Sequence, residues 1–341
     1  MAPTGPESDI VLSSRVRLAR NLAEVAFPHG MTAEQAQRVV DRVEEAVREL
    51  NRQKGLGHFT FIPLGVVPPL ERQVLVEKHL ISPQQVQQAE GRAVAIRDDE
   101  AVSIMVNEED HLRIQCLAPG LGLDEALELC NRVDDALEKK LDYAYCEERG
   151  YLTACPTNVG TGLRASAMLH LPALVHSNQA GRVFGAIAKL GLAVRGFFGE
   201  GTEALGNIFQ VSNQITLGQA EEEIVANLKG VSRQIIDQER QARETFLRDH
   251  RPQLEDRVHR SLGLLRHARV MSSQEAMQLL SDVRLGVAMG LVEGVRIETL
   301  NELMVLIRPA YLQKLAGGEL DPFQRDWRRA ALIRERLAAG G

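Results

Sequence analysis

Apolar positions follow two periods along this chain, and the switches between them divide it into segments. Behind Thr32 and Gln35, which together make a capping box, Ala36, Val39, Val40, Val43, Val47 and Leu50 fall at helical spacing, so an amphipathic helix starts there. Upstream, Asp9-Ile10-Val11-Leu12 reads as a short strand running into a turn that bears arginines. Downstream, Phe59-Thr60-Phe61-Ile62-Pro63-Leu64 reads as a strand and residues 71–79 as a helix ending near His79, while Ser82 and Pro83, with Gln85, open another helix. Between residues 92 and 117 the pattern becomes that of antiparallel hairpins: 93–96, a turn at Asp98-Asp99, 102–106, then 111–117. That register leaves Glu108-Glu109-Asp110 at the turn between the second and third strands. Residues 123–141 are strongly helical, 183–194 are too apolar to assign by period, 210–217 read as a strand, and 219–248 form a long charged helix. A boundary is placed near His250-Arg251-Pro252. Beyond it Ser272 with Glu275, Thr299 with Glu302, and Asp321 with Pro322 mark three successive helix starts in a segment that is helical throughout.

A length of 341 residues suggests two domains, taken here as 1–248 and 249–341. The formal net charge of -6 argues against a general nucleic-acid binder. Cys116, Cys130, Cys146 and Cys155 show neither metal-type pairing nor a short secreted framework, so reduced thiols in a cytoplasm are the simplest reading. Neither a run of about 18 apolar residues nor a basic-then-apolar leader pattern is present, which leads to the expectation of a cytoplasmic chain outside the membrane. Only seven of the 40 basic residues are lysine, so any single arginine says little about a phosphate site. Position within a motif has to decide.

The stretch with the most chemistry is Cys155-Pro156-Thr157-Asn158-Val159-Gly160-Thr161-Gly162, a loop shaped by one proline and two glycines and carrying one thiol. Taken alone, its cysteine reads as a small buried hydrophobe. The loop does not stand alone. In order along the chain are Ser13-Ser14-Arg15-Val16-Arg17 with Leu18-Ala19-Arg20-Asn21, Asn107-Glu108-Glu109-Asp110-His111-Leu112-Arg113, Arg164-Ala165-Ser166-Ala167-Met168, and Arg195-Gly196-Phe197-Phe198-Gly199-Glu200. Together these motifs resemble those of the phosphagen (guanidino) kinases, which move the γ-phosphoryl of ATP onto a guanidinium nitrogen. Arg325-Asp326-Trp327-Arg328-Arg329-Ala330 resembles the Arg-Asp-x-x-Arg-Ala motif of the bacterial, McsB-type protein arginine kinases within that family.

The resemblance implies an α+β catalytic fold, a mostly antiparallel sheet flanked by helices, followed by an all-helical C-terminal domain that dimerises. It implies ATP with Mg²⁺ carried by the nucleotide. Arg15, Arg17, Arg113, Arg164 and Arg195 match the family's nucleotide-binding arginines, His79 a further nucleotide contact, and the surrounding motif residues come with them. Planar guanidinium forks suit phosphate oxygens. Glu109 and Glu200 match the paired carboxylates that hold the cationic acceptor and take its proton, with Glu109 as the base; alone, Glu108-Glu109-Asp110 would be a solvated acidic turn. Cys155 would lie near the transferred group, with a structural role as the alternative. Phe197 and Phe198 stand where small-substrate relatives are more polar. In those relatives a helical domain precedes the first arginine motif and closes over free creatine or arginine. Here the motif begins at Ser13, and the expectation is an open acceptor site facing protein-borne arginine. The other two readings are a small-molecule guanidino kinase and a non-catalytic phosphoarginine-binding adaptor. By composition Arg325 to Ala330 is a solvated basic face, whereas the resemblance implies an allosteric phosphoarginine site. It further implies a homodimer or higher oligomer, an activator protein and a Clp-type protease that receives the clients.

Overall fold

The computed structural model describes residues 5–196 and 204–339. In chain order the elements begin with β1 (Val11–Arg20), α1 (Ala33–Leu50), β2 (Phe59–Pro63), α2 (Pro69–Glu77) and α3 (Pro83–Gln87). Next come β3 (Ala93–Arg97), β4 (Val102–Val106), β5 (Leu112–Pro119), α4 (Leu123–Glu138), β6 (Tyr145–Cys146) and β7 (Gly150–Tyr151). They are followed by β8 (Leu163–His170), α5 (Pro172–His176), α6 (Ala180–Ala188), β9 (Leu192–Gly196), β10 (Ile208–Asn213) and α7 (Glu221–Asp249). The chain closes with α8 (Arg251–His267), α9 (Ser273–Ala288), α10 (Ile297–Leu306), α11 (Pro309–Ala316) and α12 (Pro322–Ala339).

Among the described residues one eight-stranded antiparallel sheet carries the fold, in the order β2-β3-β4-β5-β1-β8-β10-β9. Side chains alternate between the two faces of the sheet along each strand. Val16 and Leu18 of β1, Ile114 and Cys116 of β5, and Ala165 and Ala167 of β8 all bury on one face. Helices α1, α4 and α7 cover that face with Val43 and Val47, Cys130 and Leu137, and Leu228 and Ile235. Each fully buried aliphatic side chain there contributes about 1.5–3 kcal/mol relative to exposure. The cap expected for α1 is present: Thr32 Oγ1 accepts from the Gln35 amide at 3.2 Å, and Gln35 Oε1 accepts from the Thr32 amide at 2.8 Å.

The opposite face has two partial covers. Leu64, Leu80 and Ile81 pack on Val94, Ile96 and Met105 at the β3–β4 end. The C-terminal helices close over Ile208 and the partly buried Met168 and Leu12 at the other. Arg284 of α9 ties this second cover down, donating to the carbonyls of Asp9 (3.0 Å) and Ser8 (2.8 Å) and to Asn301 Oδ1 (3.0 Å). Burial, ahead of the neighbouring charges, brings its guanidinium down to about 9.

Several elements differ from expectation. The first arginine motif lies within the ten-residue strand β1 and not in a turn, because β5 and β8 pair with it on both sides and satisfy its backbone. Helix α2 stops at Glu77, α4 stops at Glu138, and β10 stops at Asn213. Residues 183–194 divide between α6 and β9. Thr299 caps nothing, since α10 already starts at Ile297 with Arg296 at its cap position. Ser272 and Asp321 do cap: their side-chain oxygens accept from the amides of Glu275 (3.2 Å) and Gln324 (2.9 Å).

Candidate active site

Strand register builds the site. Arg15 and Arg17, two residues apart on β1, share the face opposite the core, and Arg17 stands directly across from Arg164 on β8. Arg113 on β5 lies across from Ala19, and Arg195 on β9 lies across from Gln210 of β10, whose Oε1 accepts from Arg15 Nη2 at 3.0 Å. Five arginines from four strands thus converge in the gap between the two covers. They line a cavity of ≈ 350 Å³ together with Glu109, Asn158 and Gly162.

Like charges packed this way are costly unless an anion joins them. The Nε atoms of Arg15, Arg17 and Arg164 are buried without a hydrogen-bond partner among the described residues. Burial, helped by the Arg113 and Arg164 charges, brings Arg15 down to about 10. Burial pushes Arg17 well below its ordinary value, with Arg15, Arg113 and Arg164 adding to the effect and Glu108 opposing it. Arg164 is lowered by burial and by the Arg195 and Arg113 charges, while Glu109 and the Cys155 sulfur act in the other direction.

The acidic turn closes one side. Arg113 is gripped by Glu108 Oε2 at 2.7 Å and Glu109 Oε2 at 2.8 Å, with Glu108 buried and Glu109 part-exposed. Glu109 also lines a second cavity of ≈ 480 Å³ with Thr32, Glu90, Arg92 and Ala154. Glu109 therefore borders both the cationic cavity and a separate one. The turn is held by a buried network: Asn21 Nδ2 donates to Asp110 Oδ1 at 2.6 Å and to the Leu152 carbonyl at 3.0 Å, and Asn21 Oδ1 accepts from the His111 amide at 2.9 Å. Asp110 Oδ1 also accepts from the Ala154 amide at 2.7 Å, which fixes the acidic turn to the cysteine loop. His111 accepts from the Leu22 amide at Nδ1 (3.0 Å), so its proton is on Nε2, facing the Ala26 carbonyl at 2.9 Å.

The cysteine loop forms the floor. Gly162 has φ +67°, and a Cβ there would lie 2.6 Å from the Ala19 carbonyl, so the loop approaches β1 as closely as it does because this residue is glycine. Thr216 Oγ1 donates to the Val159 carbonyl at 2.7 Å from the far side. Cys155 Sγ lies 3.0 Å from Thr157 Oγ1, in the loop whose Asn158 lines the cavity.

The expected site residues separate by strand parity. Arg15, Arg17, Arg113, Arg164, Arg195, Gly196 and Glu109 come together around one cavity. Ser14, Val16, Ala165 and Ala167 face the other way: their side chains point into the core, Ser14 Oγ donating to the Gly120 carbonyl at 2.8 Å, and their backbones are engaged in the sheet. Ser13 pairs with Met168 at the far end of β1, and Met168 packs on the helical core, while Ser166 is buried beside the arginines. His79, at φ +61° just beyond α2, lines an adjoining cavity with Arg15 and Arg17. Phe197, Phe198, Gly199 and Glu200 lie outside the described residues. In the C-terminal motif Arg329 and Ala330 both turn into the helical core. Arg329 donates to the carbonyls of Ile307 and Met271 at 2.9 Å each and pairs with Asp326. Arg325 and Arg328 remain partly exposed, and Trp327 is exposed. Sequence reasoning did not single out Asn21, Asp110 and Gln210 as site components. The first two sit inside the quoted motifs, which was the available signal, whereas Gln210 is brought in by register alone.

Comparison with known proteins adds independent findings. Residues 38–242 match the family described as ATP:guanido phosphotransferase, C-terminal catalytic domain, and residues 251–340 match the protein-arginine kinase McsB C-terminal domain. The chain is 56% identical to a protein named protein-arginine kinase from Pelotomaculum thermopropionicum, covering 99% of this chain and 95% of the relative. It is 53% identical to the protein of that name from Bacillus subtilis, covering 99% and 92%. Among solved structures, lombricine kinase aligns at TM-score 0.60 with 26% identity, over 70% of this chain and 68% of that one. The duplicated taurocyamine kinase of Schistosoma mansoni aligns at TM-score 0.61 with 27% identity, over 70% of this chain and 34% of that one.

Proposed function

The chain belongs to the protein-arginine kinases, a branch of the ATP:guanido phosphotransferase family, and from that premise we propose how its residues divide the transfer of the ATP γ-phosphoryl group to a protein-borne arginine. The observation that carries the assignment is the cluster of Arg15, Arg17, Arg113, Arg164 and Arg195, whose buried guanidinium nitrogens include three without a partner among the described residues. A triphosphate, with Mg²⁺ carried by the nucleotide, supplies the anionic oxygens that such a cluster needs. Cations held there before binding neutralise charge on the transferring group without reorganising at the moment of reaction.

The acceptor approaches from the other side of Glu109, through the cavity bordered by Thr32, Glu90 and Arg92. Glu109 orients the acceptor guanidinium and takes the proton released as the new P–N bond forms and the bond from the γ-phosphorus to the ADP oxygen breaks. Glu200 is the second acceptor carboxylate in this reading, and Cys155 helps to orient the guanidinium from the loop's rim. The division into a catalytic segment, 1–248, and a regulatory helical segment, 249–341, belongs to the same reading. So does a phosphoarginine site on α12, at which Arg325 meets the phosphate and Asp326 the guanidinium, and so does a homodimer or larger assembly. Marking of clients for a Clp-type protease, and control by an activator protein, rest on the family resemblance.

The test is transfer from labelled ATP to a protein and, separately, to free arginine, with the product mapped by mass spectrometry. Acid-labile label on arginine of the protein is expected. Label that survives hot acid, or that maps to hydroxyl side chains, would refute the proposal. Transfer to free arginine alone would convert it to a small-molecule kinase, and binding of phosphoarginine without transfer to an adaptor.

A further inference from the structure

The arginine cluster opens sideways into a cavity of ≈ 640 Å³, with Arg15, Arg17 and Arg113 common to both spaces. The walls of this larger space come from two distant parts of the chain. Val76, His79, Ile81 and Met105 belong to the sheet and its α2–α3 cover, whereas Gln274 and Arg308 come from the C-terminal helices. Apolar surface beside a row of cations suits a nucleoside whose phosphates lie on the arginines.

Arg308 is held in place from both sides. It is the cap residue of α11, and the next amides of that helix, those of Ala310 and Tyr311, donate to Glu77 Oε1 at 2.9 Å and Oε2 at 2.8 Å. Glu77 is the last residue of α2, two positions before His79. On the other side the Ile307 carbonyl accepts from the buried Arg329 Nε of α12 at 2.9 Å. Glu77 is thus engaged with a helix N-terminus, a favourable partner for a carboxylate. The Arg308 charge reaches His79: burial, then Arg15, then Arg308 bring that imidazole down to about 3. His79 therefore sits, uncharged, in the combined field of a sheet arginine and a helical-segment arginine.

We propose that Arg308, supplied by the C-terminal helices, is a donor-nucleotide contact that binds the nucleoside-monophosphate end of ATP, opposite His79, while the sheet arginines bind the outer phosphates. The donor site is then completed across two segments of the chain. Arg329 fixes the carbonyl immediately before Arg308, so the α12 motif and the nucleotide share one stretch of backbone. This inference rests on the nucleotide reading of the arginine cluster.

The experiment is calorimetric titration of the full chain with ATP and with inorganic pyrophosphate, for wild type, Arg308→Gln, Arg308→Lys and Arg17→Gln, followed by steady-state transfer kinetics. Arg308→Gln is expected to weaken ATP by about 10-fold, the low end for loss of a charged hydrogen bond, and to leave pyrophosphate, which matches the two outer phosphates, unchanged. KM for ATP should rise with kcat maintained, and Arg308→Lys should recover part of the loss. Arg17→Gln should weaken both ligands. Retained pyrophosphate binding also reports that the Arg308→Gln site is folded. Equal loss of both ligands in Arg308→Gln, or no loss of either while Arg17→Gln is impaired, overturns the Arg308 assignment and leaves the cluster reading intact. Unchanged binding in Arg17→Gln as well overturns the cluster reading itself.

Discussion

Arg17→Met should make the ligand-free protein more stable and the nucleotide complex less so. Arg17 is partly buried at the centre of the cluster, its buried Nε has no partner among the described residues, and Arg15, Arg113 and Arg164 all disfavour its charge. Methionine keeps much of the stem in contact with the sheet and removes the charge. Replacing poorly compensated buried charge by an apolar group of similar length stabilises by about 1–3 kcal/mol. With roughly 2.1 cal/mol/K of unfolding entropy per residue, a chain of 341 residues has an unfolding entropy of about 0.7 kcal/mol/K, so Tm rises by about 1.5–4 °C. Loss of a charged hydrogen bond to phosphate weakens ATP by about 10- to 150-fold. At ATP equal to about 100 times the wild-type Kd, the wild type gains about 2.7 kcal/mol, or about 4 °C, while a variant weakened about 100-fold gains about 0.4 kcal/mol, under about 1 °C. Calorimetric melts with and without ATP should therefore show the variant above the wild type when free, and the gap closed or reversed when ATP is bound. A ligand-free variant that melts lower than the wild type, or an ATP shift equal in both, would refute the argument that Arg17 is held in place for an anion.

Glu109→Gln should retain ATP affinity and lose transfer by about 10²- to 10⁴-fold, the usual scale for a general base, and near wild-type turnover on a protein substrate would remove Glu109 from that role. Asn21→Ala leaves Asp110 Oδ1 and the His111 amide each short of a partner in a buried site, so urea denaturation should show a loss of about 1–3 kcal/mol together with reduced kcat; a stable variant with full activity would contradict the positioning network. Arg325→Ala should abolish phosphoarginine binding without changing Tm, whereas Asp326→Ala should also destabilise, because it removes the carboxylate paired with buried Arg329; calorimetry with unchanged affinity in both variants would end the α12 site assignment. His79 has a folded pKa of about 3 against an ordinary 6.5, so its contribution is fully present above about 6.5 and is lost as pH falls toward 3. Urea unfolding at pH 7 and pH 5 should show a smaller decline for His79→Gln than for wild type, and equal declines would contradict a buried neutral imidazole.

Much of the architecture is written in local patterns. The Thr32, Ser272 and Asp321 caps act through hydrogen bonds spanning three residues, so they could be read without knowing what the helices pack against. The hairpins between residues 93 and 119, with the acidic turn between β4 and β5, follow from alternation and turn chemistry. The motif arginines and Glu109 were legible as a set because several residue types recur in order. Other features depend on partners far away in sequence. β1 looks like a short strand and a turn in isolation, since serine and arginine have weak strand preference; pairing with β5 on one side and β8 on the other makes all ten residues strand. That same pairing decides which motif residues face a ligand: Arg15 and Arg17 point to the cavity while Ser14 and Val16 point to the core, a division that the motif string does not contain. The place of Arg308 beside His79 is likewise tertiary, set by Glu77 capping α11 across more than two hundred residues of sequence. Local chemistry therefore determined the elements and the inventory of cations and carboxylates. Long-range pairing decided their faces, because strand parity and helix docking are fixed by which distant backbone groups satisfy one another.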